Sequence, residues 1–353
     1  LGKYMKLRIS KDALVPIGSV LVALGIGAVL IAAQGHSPLV AYKVLFIKGF
    51  SSVSGLQETL SKAGILIMSG LAITVGLRAG LFNIGAQGQV ITGALAFTFI
   101  GYKVQGLPAP IHILVALIFA IIVSSLLGAF VGFLKASRGV HEVISTIMLN
   151  SIMAGIVDYL AQNQLKLQGQ PNTRTPDILA SARLPHLFGW PIGFAIAIAL
   201  AFALSWVLKR TTTGFELETV GRNRAAAWYA GISVKKSIIL GMMLSAAIAG
   251  FTGGIYSSET TGYFVPAFYA GIGFDGITIA LLGRANPIAL IPGAIFIGGM
   301  RSAQSAVQFE SGVAPDIINL LLALVLFFAT APFIAKLLKS NAKSVTTTSG
   351  WSS

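Results

Sequence analysis

Ten separate stretches of this chain are mostly apolar, nine of them 18 to 25 residues long and one, 271–283, 13 long; about 20 residues of helix cross a hydrocarbon core of about 30 Å. They are residues 13–33, 60–77, 79–101, 110–134, 140–162, 188–208, 237–256, 271–283, 287–306 and 317–338. That pattern predicts an all-α polytopic membrane protein of about ten transmembrane helices. The composition agrees: 55% of residues are hydrophobic and 10% are charged, where soluble domains carry about 25% charge. A soluble globular protein and a disordered chain are excluded. The net charge of +14 would suggest nucleic acid in a soluble domain. In a chain this apolar it signals the Lys and Arg excess of cytoplasmic membrane loops, with no nucleic-acid partner.

Two apolar runs are too long for one crossing even with tilt, and each is interrupted by one cation, Arg78 or Arg284. Dividing them there and starting inside places 17 of the 25 Lys and Arg on the cytoplasmic face and 8 outside. The opposite orientation inverts the bias, so the sequence predicts N-in and C-in. The expected organisation is a cytoplasmic N-terminus at 1–12, a transmembrane domain at 13–338 and a cytoplasmic tail at 339–353. That tail is Ser/Thr-rich and reads as disordered. The longest external loop is 163–189 and the longest internal one 209–236. Residues 39–50 suit a short helix along the outer interface. No cleavable signal peptide is evident.

Enzymatic signatures are missing. There is no phosphate loop: the sole Gly-Lys pair is Gly2–Lys3, followed by Tyr4. The four His have no metal-ligand spacing and there is no Cys, so neither a metal site nor a thiol nucleophile is expected. Gly271, Gly273 and Gly276 fit GxGxxG, but inside an apolar run and without a strand before them. They read as close packing rather than nucleotide binding. The pairs Gly76–Gly80, Gly128–Gly132 and Gly250–Gly254 read as helix-packing seams for the same reason.

Polar residues at membrane depth are costly unless they face the bundle. Asn83, Gln87 and Gln89 form one cluster, with Asn83 and Gln87 four apart on an expected shared helix face. Glu142, Ser145, Thr146 and Asn150 form a second at helical spacing. Both clusters are candidate borders of a pathway; interhelical hydrogen bonding is the competing reading. Glu142 has Lys135 and Arg138 as nearby partners, and Asp158 and Asp275 read as outer-boundary groups.

These residues carry a resemblance. The run Gly80-Leu-Phe-Asn-Ile-Gly-Ala-Gln-Gly-Gln89 resembles the GLFNIGAEGQ signature of nucleoside-type ABC transporter permeases, within the sugar and branched-chain amino-acid permease superfamily. Glu142-Val-Ile-Ser-Thr-Ile-Met-Leu-Asn150 resembles its EVISTIMLN. The run from Gly221 to Ile232 is similar to its cytoplasmic GxNxxAAxxAGI motif, and that from Gly271 to Pro287 to its GxGFDxIAxALLGxxxP. Gln87 stands where the family usually has Glu, Gly276 where it has Ala, and Ala225 and Trp228 where charged residues are common.

The resemblance implies a vitamin B12-importer-like (type II) permease bundle with pseudo-repeated halves, in a bacterial cytoplasmic (inner) membrane. Its implied partners are a second, related permease subunit in a heterodimer, ABC ATPase subunits and an extracytoplasmic binding lipoprotein that delivers nucleosides. It implies no cofactor on this chain, with ATP and Mg at the ATPase. The same comparison makes Gly221, Arg222, Asn223, Ala226, Ala227, Tyr229, Ala230 and Gly231 an ATPase-coupling element. From the residues themselves, 222–230 suit a short helix rich in Ala and stopped by Gly231. Alternatives are a simple-sugar ABC permease and an ATP-independent secondary transporter. The latter lacks a clearly mid-bilayer acid to carry protons.

Overall fold

The computed structural model describes residues 11–169 and 173–330. The charged start of the chain and the 339–353 tail lie outside the described residues. Thirteen α-helices are described: α1 Lys11–Ala33, α2 Pro38–Phe46, α3 Val53–Arg78, α4 Ala86–Lys103, α5 Ala109–Arg138, α6 Glu142–Gln162, α7 Ile192–Arg210, α8 Thr212–Arg222, α9 Arg224–Tyr229, α10 Val234–Tyr256, α11 Ile272–Leu282, α12 Leu290–Ser311 and α13 Pro315–Thr330. Each of the ten apolar stretches overlaps one of them. Five are long and apolar enough to cross a membrane: α3, α5, α6, α7 and α10 with the π-helical turn that extends it to Thr261.

The chain forms two compact units. One comprises the residues up to Thr59 and those from Gly299. In it α1 packs on α13, and Gly27 gives room for Leu321. The expected 39–50 helix is α2 followed by a π-helical turn at Ile47–Ser51. Thr59 Oγ1 fastens that turn through the Gly49 carbonyl at 2.7 Å, and Lys48 pairs with Glu310 at 2.7 Å.

The second unit, Leu60–Gly298, carries every candidate site residue. Its axis is the sandwich of α4, α5 and α10. Two of the three expected glycine seams, Gly128–Gly132 and Gly250–Gly254, lie there, whereas Gly80 of the third meets Gly221. A Cβ at Gly132 would stand 2.8 Å from Ile239 Cα, one at Gly254 2.9 Å from a Leu117 methyl, and Gly128 and Gly250 leave no room against Met242 and Ser124. Small residues let the backbones approach and gain dispersion contacts that larger ones would block.

The 163–189 segment is not a free loop. Its main chain bonds the segment after α10: Thr175 N–H to the Phe264 carbonyl at 3.1 Å and Ile178 N–H to that of Gly262 at 2.8 Å. It closes in a two-stranded hairpin, His186–Leu187 with Trp190–Pro191. Phe188 and Gly189 turn the hairpin with φ of 52° and 84°, the two left-handed residues of a type I′ turn.

Candidate functional site

The first correction concerns the break before α4. The apolar run 79–101 predicts a helix from its start, yet α4 begins only at Ala86. Gly80 is left-handed, with φ 68°, and residues 81–85 run non-helically. Asn83 therefore precedes the helix and shares no helix face with Gln87. It is 1% exposed, and its Nδ2 donates to Gln89 Oε1 at 2.8 Å and to Ser245 Oγ at 2.9 Å. Ser245 Oγ in turn donates to the Ala72 carbonyl at 2.6 Å. Asn83, Gln89 and Ser245 thus hold the broken segment between α3 and α10.

A helix starting inside a bundle exposes first-turn N–H groups that need partners. The residue before α4 is Gly85 and that before α11 is Gly271, so neither helix has a side-chain cap of its own. Other helices supply the caps. Asn150 of α6 accepts the Gly88 N–H on Oδ1 at 2.7 Å and donates from Nδ2 to the Ile84 carbonyl at 2.8 Å. Gln87 of α4 accepts the Gly273 N–H on Oε1 at 2.8 Å and donates from Nε2 to the Tyr269 carbonyl at 2.8 Å. Glu259, which the sequence reading did not single out, does the same for α7: its carboxylate accepts the Gly193 N–H at 2.7 Å.

The GxGxxG glycines serve this junction. A side chain on Gly273 would overlap the Gln87 backbone, and one on Gly276 would overlap Ser69. Asp275 lies in the first turn of α11, two residues from Gly273.

On α6, Glu142, Thr146 and Asn150 face the bundle and Ser145 does not join them. Thr146 is buried and bonds the Glu142 carbonyl at 2.7 Å. Ser145 bonds only its own turn, through the His141 carbonyl at 3.2 Å. Glu142 pairs with Lys135 at 2.7 Å, fastening the end of α5 to the start of α6.

The 209–236 segment holds the second correction. The sequence suggests one short helix over 222–230; the structure has two, α8 and α9, divided at Asn223. Asn223 is extended, with φ −157°, and its side chain caps α9 by accepting the Ala226 N–H at 3.0 Å. Asn is a strong N-cap former, so it ends one helix and starts the next. The stop is as expected. Gly231 has φ 79°; its N–H bonds the Trp228 carbonyl and that of Ile232 bonds Ala227, both at 3.0 Å. This is the Schellman pattern.

Ala227 is buried in a cluster with Ala79, Leu81, Leu217 and Val220. Arg222, Asn223, Ala226 and Ala230 are exposed. So are Trp228 and Tyr229, at 66% and 83%, with rings 5.1 Å apart.

This layer is joined to the break before α4. Gly221 leaves no room for a side chain against Arg78, and a Cβ at Gly80 would stand 2.7 Å from Gly221 Cα. Arg78, which in the sequence only divides an apolar run, makes the joint. Its Nη1 donates to Glu218 of α8 at 2.9 Å and its Nε to the Ala285 carbonyl at 2.7 Å. Arg284 and Ala285 are both left-handed, with φ 52°, a conformation that neighbouring contacts must hold in place. One guanidinium thus connects α8, the end of α3 and the turn between α11 and α12.

Comparison with known proteins is consistent with this layout. Residues 55–330 match the family described as branched-chain amino acid transport system / permease component. The guanosine ABC transporter permease NupP of Bacillus subtilis is 34% identical over 94% of this chain and 96% of its own length. The nucleoside ABC transporter permease NupB of Lactococcus lactis is 30% identical over 95% of each. The glucose ABC transporter permease TsgB13 of Haloferax volcanii is 32% identical over 91% of this chain and 88% of its own. In the first two bacteria a further permease also matches, NupQ at 27% over 70% of this chain and 80% of its own, and NupC at 24% over 66% and 76%. With a family match across most of its length and relatives aligned nearly end to end, the chain belongs to the branched-chain amino acid transport system / permease component family.

Proposed function

We propose that this chain is the permease subunit of an ATP-driven importer and forms half of a translocation pathway for nucleosides delivered by an extracytoplasmic binding lipoprotein. The observation that carries the substrate class is the near-full-length similarity to a guanosine and a nucleoside permease. The glucose relative favours a second reading, a simple sugar. The pairing of NupP with NupQ and of NupB with NupC supports a related second permease subunit as partner. ATP and Mg belong to the separate ATPase. The bundle lies in a bacterial inner membrane, with ten spans, both termini inside and a B12-importer-like arrangement.

In this reading the element from Gly221 to Gly231 is the coupling device. Trp228 and Tyr229 offer the partner an aromatic pair of the kind that anchors interfaces. Movement of α8–α9 passes through the Gly80–Gly221 contact and through Arg78 to the inner ends of α3 and α11. Both of these adjoin the α4–α11 junction. Gly273 lies 11 residues before Arg284, and Asn150 eight residues after Glu142. These are about 16 and 12 Å along a helix, placing the junction near the bilayer middle.

The outer faces of α5 and α6 differ. That of α5 is lined by Ile111, Leu114, Ile118, Ile122, Leu126 and Phe130 and suits lipid. That of α6 carries Ile144, Ile147, Met148, Ile152 and Ile156 interleaved with Ser145, Ser151 and the open Gly155, a mixed face that suits the pathway and the second subunit. Asn83, Gln87, Gln89, Glu142, Thr146 and Asn150 form the scaffold behind that border.

The test is uptake of radiolabelled guanosine by proteoliposomes holding the complete complex. ATP-dependent uptake that excess glucose leaves unchanged is expected. Displacement by glucose would move the substrate to the sugars, and uptake without ATP would overturn the importer reading.

A further inference from the structure

We propose that Gln87 is a positioning residue of transport whose amide makes the α4–α11 junction insensitive to pH, and that a carboxyl in its place would make transport switch with protonation. The geometry assigns the chemistry without ambiguity. The Gly273 N–H can only donate, so the atom facing it at 2.8 Å is the amide oxygen. The Tyr269 carbonyl can only accept, so the atom facing it at 2.8 Å is the amide nitrogen. The residue at 87 must therefore accept and donate at once. A neutral amide does so at every pH. A carboxylate only accepts, and would set a second oxygen against the Tyr269 carbonyl; only the protonated acid reproduces both bonds.

The two bonds position more than a side chain. Gly273 is in the first turn of α11, which has no cap of its own. Tyr269 is the last residue of the 3-10 turn at Pro266–Tyr269, fully buried, with its phenol bonded to Ser257 at 2.8 Å and Thr261 at 3.0 Å. Gln87 thus clasps the turn between the segment after α10 and the half-length helix α11.

The titratable groups of the elements packed here, Glu259 of the turn after α10 among them, are common to wild type and variant, so the ratio of the two isolates the residue at 87. Asp275 of α11 lies two residues beyond Gly273. The phenols of Tyr269 and of Tyr256, whose rings lie 5.0 Å apart, are neutral across the ordinary range. Glu142 and Asp158 of α6 lie eight residues to either side of Asn150. The sign follows: only the protonated acid makes both bonds, so the junction of a Gln87→Glu variant holds while that carboxyl is protonated and is lost as pH rises through its titration.

The inference deepens the permease reading and rests on it only for the uptake arm of the test. Guanosine uptake is measured across pH in proteoliposomes of the complete complex carrying wild type, Gln87→Glu or Gln87→Met, together with the melting temperature of each purified complex. The ratio of Gln87→Glu to wild-type uptake is expected to fall about tenfold per pH unit above the carboxyl pKa, the slope of one proton. Its melting temperature should fall over the same range. Gln87→Met, which makes neither bond, should be impaired about equally at every pH. Parallel Gln87→Glu and wild-type profiles in both measurements overturn the proposal. A complex that takes up no guanosine in wild type, but whose Gln87→Glu form melts with the one-proton dependence, supports the latch and overturns the substrate instead. If Gln87→Glu does not assemble, hydrogen exchange decides: unchanged protection of the Gly273 amide in Gln87→Met overturns the proposal, and loss of that protection supports it.

Discussion

The α4–α11 junction and the α8–α9 layer treat their polar and aromatic groups in opposite ways. At the junction, Asn83, Gln87, Gln89 and Asn150 have their amides engaged inside the chain, mostly with broken backbone. At α9 one alanine is buried, while Trp228 and Tyr229 project outward. An unsatisfied polar group in hydrocarbon costs several kcal/mol, so side chains near a helix break complete the backbone first. An exposed aromatic pair contributes nothing to the fold of the single chain. The first region holds a shape; the second, in the reading proposed above, meets the ATPase.

The sharpest way to break that contrast is Asn150→Leu. It strands the Gly88 N–H and the Ile84 carbonyl together, and should lower stability by about 3 kcal/mol, read as a lower melting temperature of the purified subunit. A change within measurement error would mean that Asn150 faces the pathway and caps nothing. Next in size is Trp228→Ala. The subunit should melt as wild type while its affinity for the ATPase drops by about 2 kcal/mol, roughly thirtyfold, measured by titrating ATPase onto the reconstituted permease. A melting shift with undiminished docking would reverse the roles of the two regions. The smallest effect belongs to Ser145→Ala, whose hydroxyl bonds only its own helical turn. Stability should stay within about 0.5 kcal/mol, so any change in the concentration dependence of uptake reports contact with substrate.

Much of the cytoplasmic layer was legible in the sequence. The Ala run, Asn223 and Gly231 encode a helix with both of its stops, because capping is local: the bonds run between residues three to five apart. What periodicity missed was that Asn223 also ends a helix before it. The junction was legible only as an unusual density of amides and glycines. Hydropathy read 79–101 as one helix because averaging over a window does not see a left-handed Gly80. Arg78 read only as a break in an apolar run, and Glu218 and Glu259 were not singled out, since their partners lie 66 to 207 residues away.

By itself the sequence determined that this chain is a bundle of apolar helices, and it contained the four motifs that mark the family. Both follow from terms that add residue by residue: transfer of side chains to hydrocarbon and helix propensity. Only the tertiary structure decided what the polar residues are for. Whether Gln87 lines a space or clasps a helix start depends on which backbone groups lie within 2.8 Å of its amide. That is settled by how α4, α6, α10 and α11 close upon one another, because a hydrogen bond is short-ranged and directional and burial leaves no water to take its place.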